Sequence, residues 1–245
     1  AGQITYIRCM SIFVRLGEFV AIAASEAFSG VLEAVRTLFE GDPETRRRVA
    51  FSVAMIALSA KMAKADGIVT PDEVIAFQDL FEMPDSEARN VARLYNLAKQ
   101  DVAGFESYAS KMAELCGSGE DNCLVLEDIL DGLFHIAKAD GVIHEKEQAF
   151  LARVAEIFHV DEAHFERIVA RHTYETERDP YAVLGVHADA SLAEIKRQYR
   201  KLVSESHPDR LIARGVPEEF LAIANDRMVV LNAAFAAIEK ERMAK

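Results

Sequence analysis

At 245 residues, 51% hydrophobic, 28% charged and without tryptophan, the chain is long enough for one large or two modest cores and reads as globular. Its 28 Lys and Arg stand against 40 Asp and Glu, a net charge of −12; ten of each sign fall in residues 179–245, so the whole acid excess lies before residue 179. Phosphate repulsion there argues against general nucleic-acid binding, whereas calcium-like cations are tolerated.

Glycine and proline are scarce (12 and 6), the helix formers Ala, Leu, Glu and Arg are abundant, and strand-forming runs are few, which predicts an all-α chain. Residues 1–9 precede Met10 and read as a tag or an upstream extension; no secretory signal is evident. Residues 10–39 form one amphipathic helix, with Ile12, Leu16, Phe19, Val20, Ala23, Val31, Val35 and Leu38 at helical spacing. Arg15, Glu18, Glu26, Glu33 and Arg36 interrupt it well short of the roughly 20 apolar residues that span a bilayer. Its apolar face is expected to pack on the chain's own core or on a second copy in a homodimer. Contact with a membrane surface is the alternative.

Gly41 stops that helix, and Asp42-Pro43 starts the next as N-cap and first-turn proline. Residues 49–60, VAFSVAMIALSA, are apolar almost all round and predict a central buried helix. Further starts are marked by Thr70, Asp85 or Ser86, Asp101, Asp121 or Asn122, the stretch Gly141–Glu145, Asp161, Asp179-Pro180, Ser191 and Val216-Pro217. The polar connector from His172 to Arg178 marks a domain boundary. Cys9, Cys116 and Cys123 form no CxxC pair; Cys116 and Cys123 bracket the Gly117-Ser118-Gly119 turn, which could bring them close, but free thiols are the expectation, with no zinc site.

Ala63-Lys64-Ala65-Asp66-Gly67-Ile68-Val69 recurs 74 residues later as Ala137-Lys138-Ala139-Asp140-Gly141-Val142-Ile143, and a glutamate stands seven after each aspartate, at Glu73 and Glu147. Two copies of helix, turn and helix predict a pseudo-twofold bundle. Each turn matches the second half of an EF-hand loop: an acidic ligand, a sharp-turn glycine, a packed aliphatic and a glutamate. The first half is missing, since Met62 and Lys64, or Ile136 and Lys138, stand where acidic ligands belong. A divalent cation, calcium or similar, would therefore need Asp66, Glu73, Asp140 and Glu147 to converge across the pseudo-axis. The competing reading is helix punctuation. Gly67 and Gly141 end helices in the left-handed conformation, and Thr70 with Glu73 makes a capping box.

In the last segment, Asp179-Pro180-Tyr181-Ala182-Val183-Leu184-Gly185-Val186 precedes a helix opened by a Ser191/Glu194 capping box. Ile195, Tyr199 and Leu202 form its buried stripe, and Lys196, Arg197, Arg200 and Lys201 a basic exposed band. Pro208 breaks the helix and leaves His207 and Asp209 in a rigid loop. No nucleophile or positioned acid–base pair accompanies them, so an enzyme is not expected.

The order DPYxxLGV, basic helix, His207-Pro208-Asp209 and a long helix carrying Leu231-Asn232-Ala233-Ala234-Phe235 resembles the J domain. About residues 43–172, with the doubled ADG…E motif, resemble the TerB-like (tellurite-resistance-type) helical domain. Together, and with the loop Arg210-Leu211-Ile212-Ala213-Arg214-Gly215-Val216-Pro217, they are similar to the DjlA-like family of J-domain co-chaperones. The resemblance implies an all-α protein in three parts. These are the N-terminal helix (1–42), a TerB-like bundle with pseudo-twofold repeat (43–172), and a J domain built on an antiparallel helical hairpin (179–245).

The resemblance further implies stimulation of ATP hydrolysis by a DnaK-class chaperone, with the bundle directing the protein to a client or location. His207, Pro208 and Asp209 would be essential, and Lys196, Arg197, Tyr199, Arg200, Lys201 and Arg210 would form the docking face. Tyr181, Leu184, Ile195, Leu202, Leu231 and Phe235 would only hold the hairpin together. Glu205-Ser206 departs from the basic–aromatic pair usual before HPD. No cofactor is required, and a cytoplasmic location, peripheral at the inner membrane as the alternative, is expected. The runner-up function is a divalent-metal-binding, tellurite-resistance-type stress protein using the paired turns.

Overall fold

A computed structural model describes residues 43–66, 88–100, 104–114, 123–139, 141–173 and 178–243. The expected helix over 10–39 and the caps Thr70, Asp85 and Ser86 lie outside the described residues. Among the described residues every regular element is helical.

The helix α1 (Pro43–Asp66) opens on its proline. Val49 through Ala63 are buried without a break, which makes α1 the hub of the bundle. Two serines survive in this apolar helix because each hydroxyl donates back one turn, Ser52 to the Arg48 carbonyl at 3.1 Å and Ser59 to the Met55 carbonyl at 2.6 Å. Around α1 pack α2 (Ala88–Gln100), α3 (Phe105–Ala113), α4 (Leu124–Ala137) and α5 (Glu145–Ile157), and α6 (Glu162–His172) lies on α4.

The expected caps Asp101, Asp121 and Asn122 also lie outside the described residues; the described helices α3 and α4 have Gly104 and Cys123 as N-caps. Neither residue offers a side-chain cap. A cap contributes only about 1 kcal/mol, less than the burial of a single large side chain, so packing sets where the helix begins. Cys123 is disulfide-bonded, which overturns the expectation of free thiols. Sequence spacing alone does not decide whether two thiols meet, because the bond needs Cβ atoms within about 4.5 Å.

Downstream, Asp179 caps α7 (Pro180–Leu184) through the Tyr181 amide at 2.9 Å. Ser191 and Glu194 form the expected box at the head of α8 (Leu192–Glu205). The segment expected to be a loop after Pro208 is instead helical: α9 (Pro208–Arg214) follows. A one-turn 3-10 helix (Glu218–Phe220) leads into α10 (Leu221–Met243). The loop expectation failed because Pro208 sits at the first helical position, where its missing N–H costs nothing.

Helices α8 and α10 form an antiparallel hairpin. Lys196 pairs with Glu239 and Tyr199 with Asn232, so one chain ascends as the other descends. Tyr181, Val183, Leu184, Ile195, Leu202, Leu231, Ala234 and Ile238 are its core. Phe235 packs against that core, and all six residues expected to hold the hairpin do so. By length and composition α10 could cross a membrane. Here its Ile223, Ala224, Arg227, Leu231, Ala234 and Ile238 face is buried within the protein.

The hairpin is not a separate bead. Leu211, Val216, Phe220, Ile223 and Ala224 belong to the same buried cluster as α1 and α4. Phe220 meets Phe51 edge to face at 4.9 Å between ring centroids. Gly132 on α4 makes room for this insertion, since a Cβ there would lie 2.7 Å from the Met55 Cε and 2.9 Å from the Ile223 Cδ1.

Candidate functional site

The end of α8, the start of α9 and the exposed face of α8 form one continuous strip of surface. Ser206 is the C-cap of α8 and is buried, so the chain is pinned just before the tripeptide. His207 then serves as N-cap of α9, its Nδ1 accepting from the Asp209 amide at 3.2 Å. The same Nδ1 lies 3.6 Å from an Asp209 carboxylate oxygen, yet both side chains remain open to solvent, at 54% and 87% exposure. Pro208 fixes the turn between them, which leaves an imidazole and a carboxylate displayed on a stiff backbone.

The basic band divides into two kinds. Arg197, Arg200 and Arg210 are exposed. Lys201, also exposed, has its Nζ 4.0 Å from the Glu205 carboxylate. Lys196 is half-buried and holds Glu239 of α10 at 3.3 Å. Tyr199 stacks on Phe235 with centroids 4.3 Å apart and donates its hydroxyl to Asn232 at 2.8 Å. Lys196 and Tyr199 therefore brace the hairpin, while the three arginines and Lys201 carry the accessible charge.

Of the four carboxylates read as metal candidates, only the side chain of Glu147 lies among the described residues. It is buried and its Oε2 accepts the His144 amide at 2.9 Å, the capping box at the start of α5. Gly141, in the left-handed region at φ 93°, turns the chain out of α4. Asp66, Glu73 and Asp140 fall outside the described side chains, so their convergence is not on view. No group of three or more potential ligands is present among the described residues.

A second polar constellation, absent from the sequence reading, lies beneath the HPD strip. Asp128 and Asp131, one turn apart on α4, are 0% and 3% exposed. Asp131 accepts from Arg171 Nη2 at 3.0 Å, from His172 Nε2 at 2.9 Å and from Arg227 Nε at 2.7 Å. Asp128 accepts from Arg214 Nη2 at 2.8 Å, and Arg227 Nη1 lies 2.8 Å from its other oxygen, close enough to pair though off the line of donation. Burial alone would raise the Asp131 carboxyl, but Arg171 and Arg227 outweigh it and hold the group well below the ordinary range. Burial pushes the neighbouring Glu127 up against the pull of Arg171 and His164, and pushes His172 down against the pull of Asp131. Charges inside apolar stretches (EDILDG on α4, Arg227 in α10) were the available signal. A buried charge needs a partner, and only the fold reveals which.

Comparison with known proteins gives two family matches in this order: the tellurite resistance protein TerB model over residues 52–170 and the DnaJ domain model over residues 179–237. The curated relatives include the co-chaperone protein DjlA of Photobacterium profundum, 31% identical over 222 residues that cover 80% of this chain and 79% of the relative. Proteins of the same name from Coxiella burnetii and Aliivibrio fischeri are 29% and 26% identical, covering 74% and 82% of this chain and 73% and 82% of theirs. No solved structure matches.

Proposed function

The chain belongs to the family of DjlA co-chaperones, and on that premise we propose that it stimulates ATP hydrolysis by a DnaK-class chaperone through the surface around His207-Pro208-Asp209. The observation that carries this reading is the display of His207 and Asp209 to solvent at the end of a helix whose Arg197, Arg200 and Lys201 are also exposed. The chain's contribution is to dock on the chaperone's nucleotide-binding domain and interdomain linker and favour the hydrolytic state there. The exposed arginines and Lys201 would speed encounter with an acidic partner face, an effect that salt screens beyond about 10 Å at 0.1 M.

We assign residues 43–172 to the TerB-like unit and 179–245 to the J domain, with residues 1–42 and the bundle directing the activity to a client. In this reading the protein works in the cytoplasm, and residues 10–39 pack on the chain's own core or on a second copy, with contact at the inner-membrane surface as the alternative. Because Glu147 is engaged in the cap that starts α5, we give the ADG…E turns a helix-punctuating role in preference to cation binding. Calorimetry with millimolar calcium should then show no binding heat. A heat abolished by Asp140→Ala would reverse that assignment.

Steady-state ATPase measurements test the main reading. Added wild-type protein should accelerate the chaperone's turnover, with more protein needed for half-maximal effect as salt rises, and His207→Gln should not accelerate it. Equal acceleration by both proteins would remove the proposal.

A further inference from the structure

The short helix α9 begins with the HPD tripeptide and ends at Arg214, and its two ends face different neighbours. Seven residues cannot hold a helix in water unaided, so tertiary contacts must fix α9. Those contacts come from α8 and α10 on one side and from the N-terminal bundle on the other. Leu211 is fully buried in the cluster built on α1 and α4, and the chain leaves α9 through Gly215, at φ 97°, into Val216 of the same cluster. A Cβ on Gly215 would lie 2.7 Å from the Arg47 Cβ, so the bundle touches even the turn.

Arg214 connects the two sides. Its Nε and Nη2 donate to Asp128 Oδ2 on α4, at 3.2 and 2.8 Å. Its Nη1 donates to the carbonyl of Glu205, the last residue of α8, at 2.9 Å. One guanidinium therefore ties the fully buried carboxylate of the bundle to the backbone two residues before His207. Asp128 is itself held in place by Arg227 of α10, which also grips Asp131. The planar fork suits this double duty, and a lysine ammonium does not.

We propose that Arg214 is a positioning residue for chaperone stimulation, through which the TerB-like bundle holds the HPD tripeptide in its docking shape. The inference rests on the function proposed above. The HPD surface is then a product of both domains, and the hairpin alone does not set it. Loss of the tie would let the end of α8 and the start of α9 reorient while the hairpin core, centred on Leu231 and Ile238, stays intact.

The test uses the full-length chain with a DnaK-class chaperone, measuring ATPase rate against co-chaperone concentration for wild type, Arg214→Lys, Asp128→Asn and His207→Gln. Thermal unfolding of each is recorded in parallel. Arg214→Lys keeps a charge beside Asp128 but cannot span both acceptors. Its maximal stimulated rate should fall about three- to tenfold, the range that one lost hydrogen bond supplies. The concentration at half-maximum should move less, because the accessible basic band is untouched. A merely structural role would lower the amount of folded protein and shift the half-maximum, leaving the plateau in place. Should Arg214→Lys fail to fold, Asp128→Asn decides, since it is isosteric and leaves Arg227 paired with Asp131. Folded variants with a wild-type plateau overturn the inference. If His207→Gln also retains the wild-type plateau, the proposed function fails with it; if His207→Gln is inactive, only the role of Arg214 is lost.

Discussion

Asp131 receives three cationic or polar donors in a space closed to water, and its removal would strand Arg171 and Arg227 without their shared acceptor. Breaking a buried pair from one side costs about 3–5 kcal/mol, so Asp131→Ala should lower the urea midpoint far more than any exposed carboxylate does. His172 adds a pH dependence. It stacks on Phe134 at 5.3 Å and donates Nε2–H to Asp131, and burial holds its pKa below the ordinary 6.5. A folded-state pKa lowered in this way contributes stability that is complete above the unfolded value and is lost as pH falls from there through the lower folded value. Asp131 behaves the same way below 3.8, whereas Glu127, shifted upward, works in the opposite sense around 4.5. The wild type should therefore lose stability between pH 7.5 and 5.5, and His172→Gln should lose less. Identical losses in the two proteins would contradict the assignment.

At the scale of elements, α9 depends on the left-handed turn that closes it. Gly215→Ala would put a Cβ against Arg47 in a conformation that costs an L-residue about 1–2 kcal/mol, and denaturation should register at least that. How much of this was legible follows from how local each signal is. The Asp161, Asp179 and Ser191 caps were readable because cap and helix are neighbours in sequence. The apolar run in α1 was readable because burial on all sides leaves no polar face. Helix α9 was missed: its stabilising partners lie in α10 and in the bundle around α1 and α4, distant in sequence, and locally the segment shows only a proline and a glycine. Gly104 and Cys123 were missed as helix starts because neither carries a capping side chain. The HPD strip was legible for the same local reason as the caps. The Asp128–Arg214 and Asp131–Arg227 contacts, 86 and 96 residues apart, were not.

For the whole molecule, the shared core has a direct consequence. Leu211, Phe220 and Ile223 lie in one cluster with Phe51 and Leu133, so the two domains should lose structure together. Calorimetric unfolding should give one cooperative transition, and Phe220→Ala, which deletes the ring against Phe51, should lower it as a unit by about 3–5 kcal/mol. Two well-separated transitions would mean that the interface contributes little. A joined pair of domains also fixes the direction in which the HPD strip faces relative to the bundle.

Stimulation through the HPD surface would act on the hydrolytic step itself, so the most direct measurement is single-turnover hydrolysis by a preformed complex of the DnaK-class chaperone with ATP. Mixed with saturating full-length protein, the complex should hydrolyse its nucleotide several-fold or more faster than alone, and with folded His207→Gln it should hydrolyse at the unstimulated rate. A wild-type protein that leaves the single-turnover rate unchanged would contradict the account.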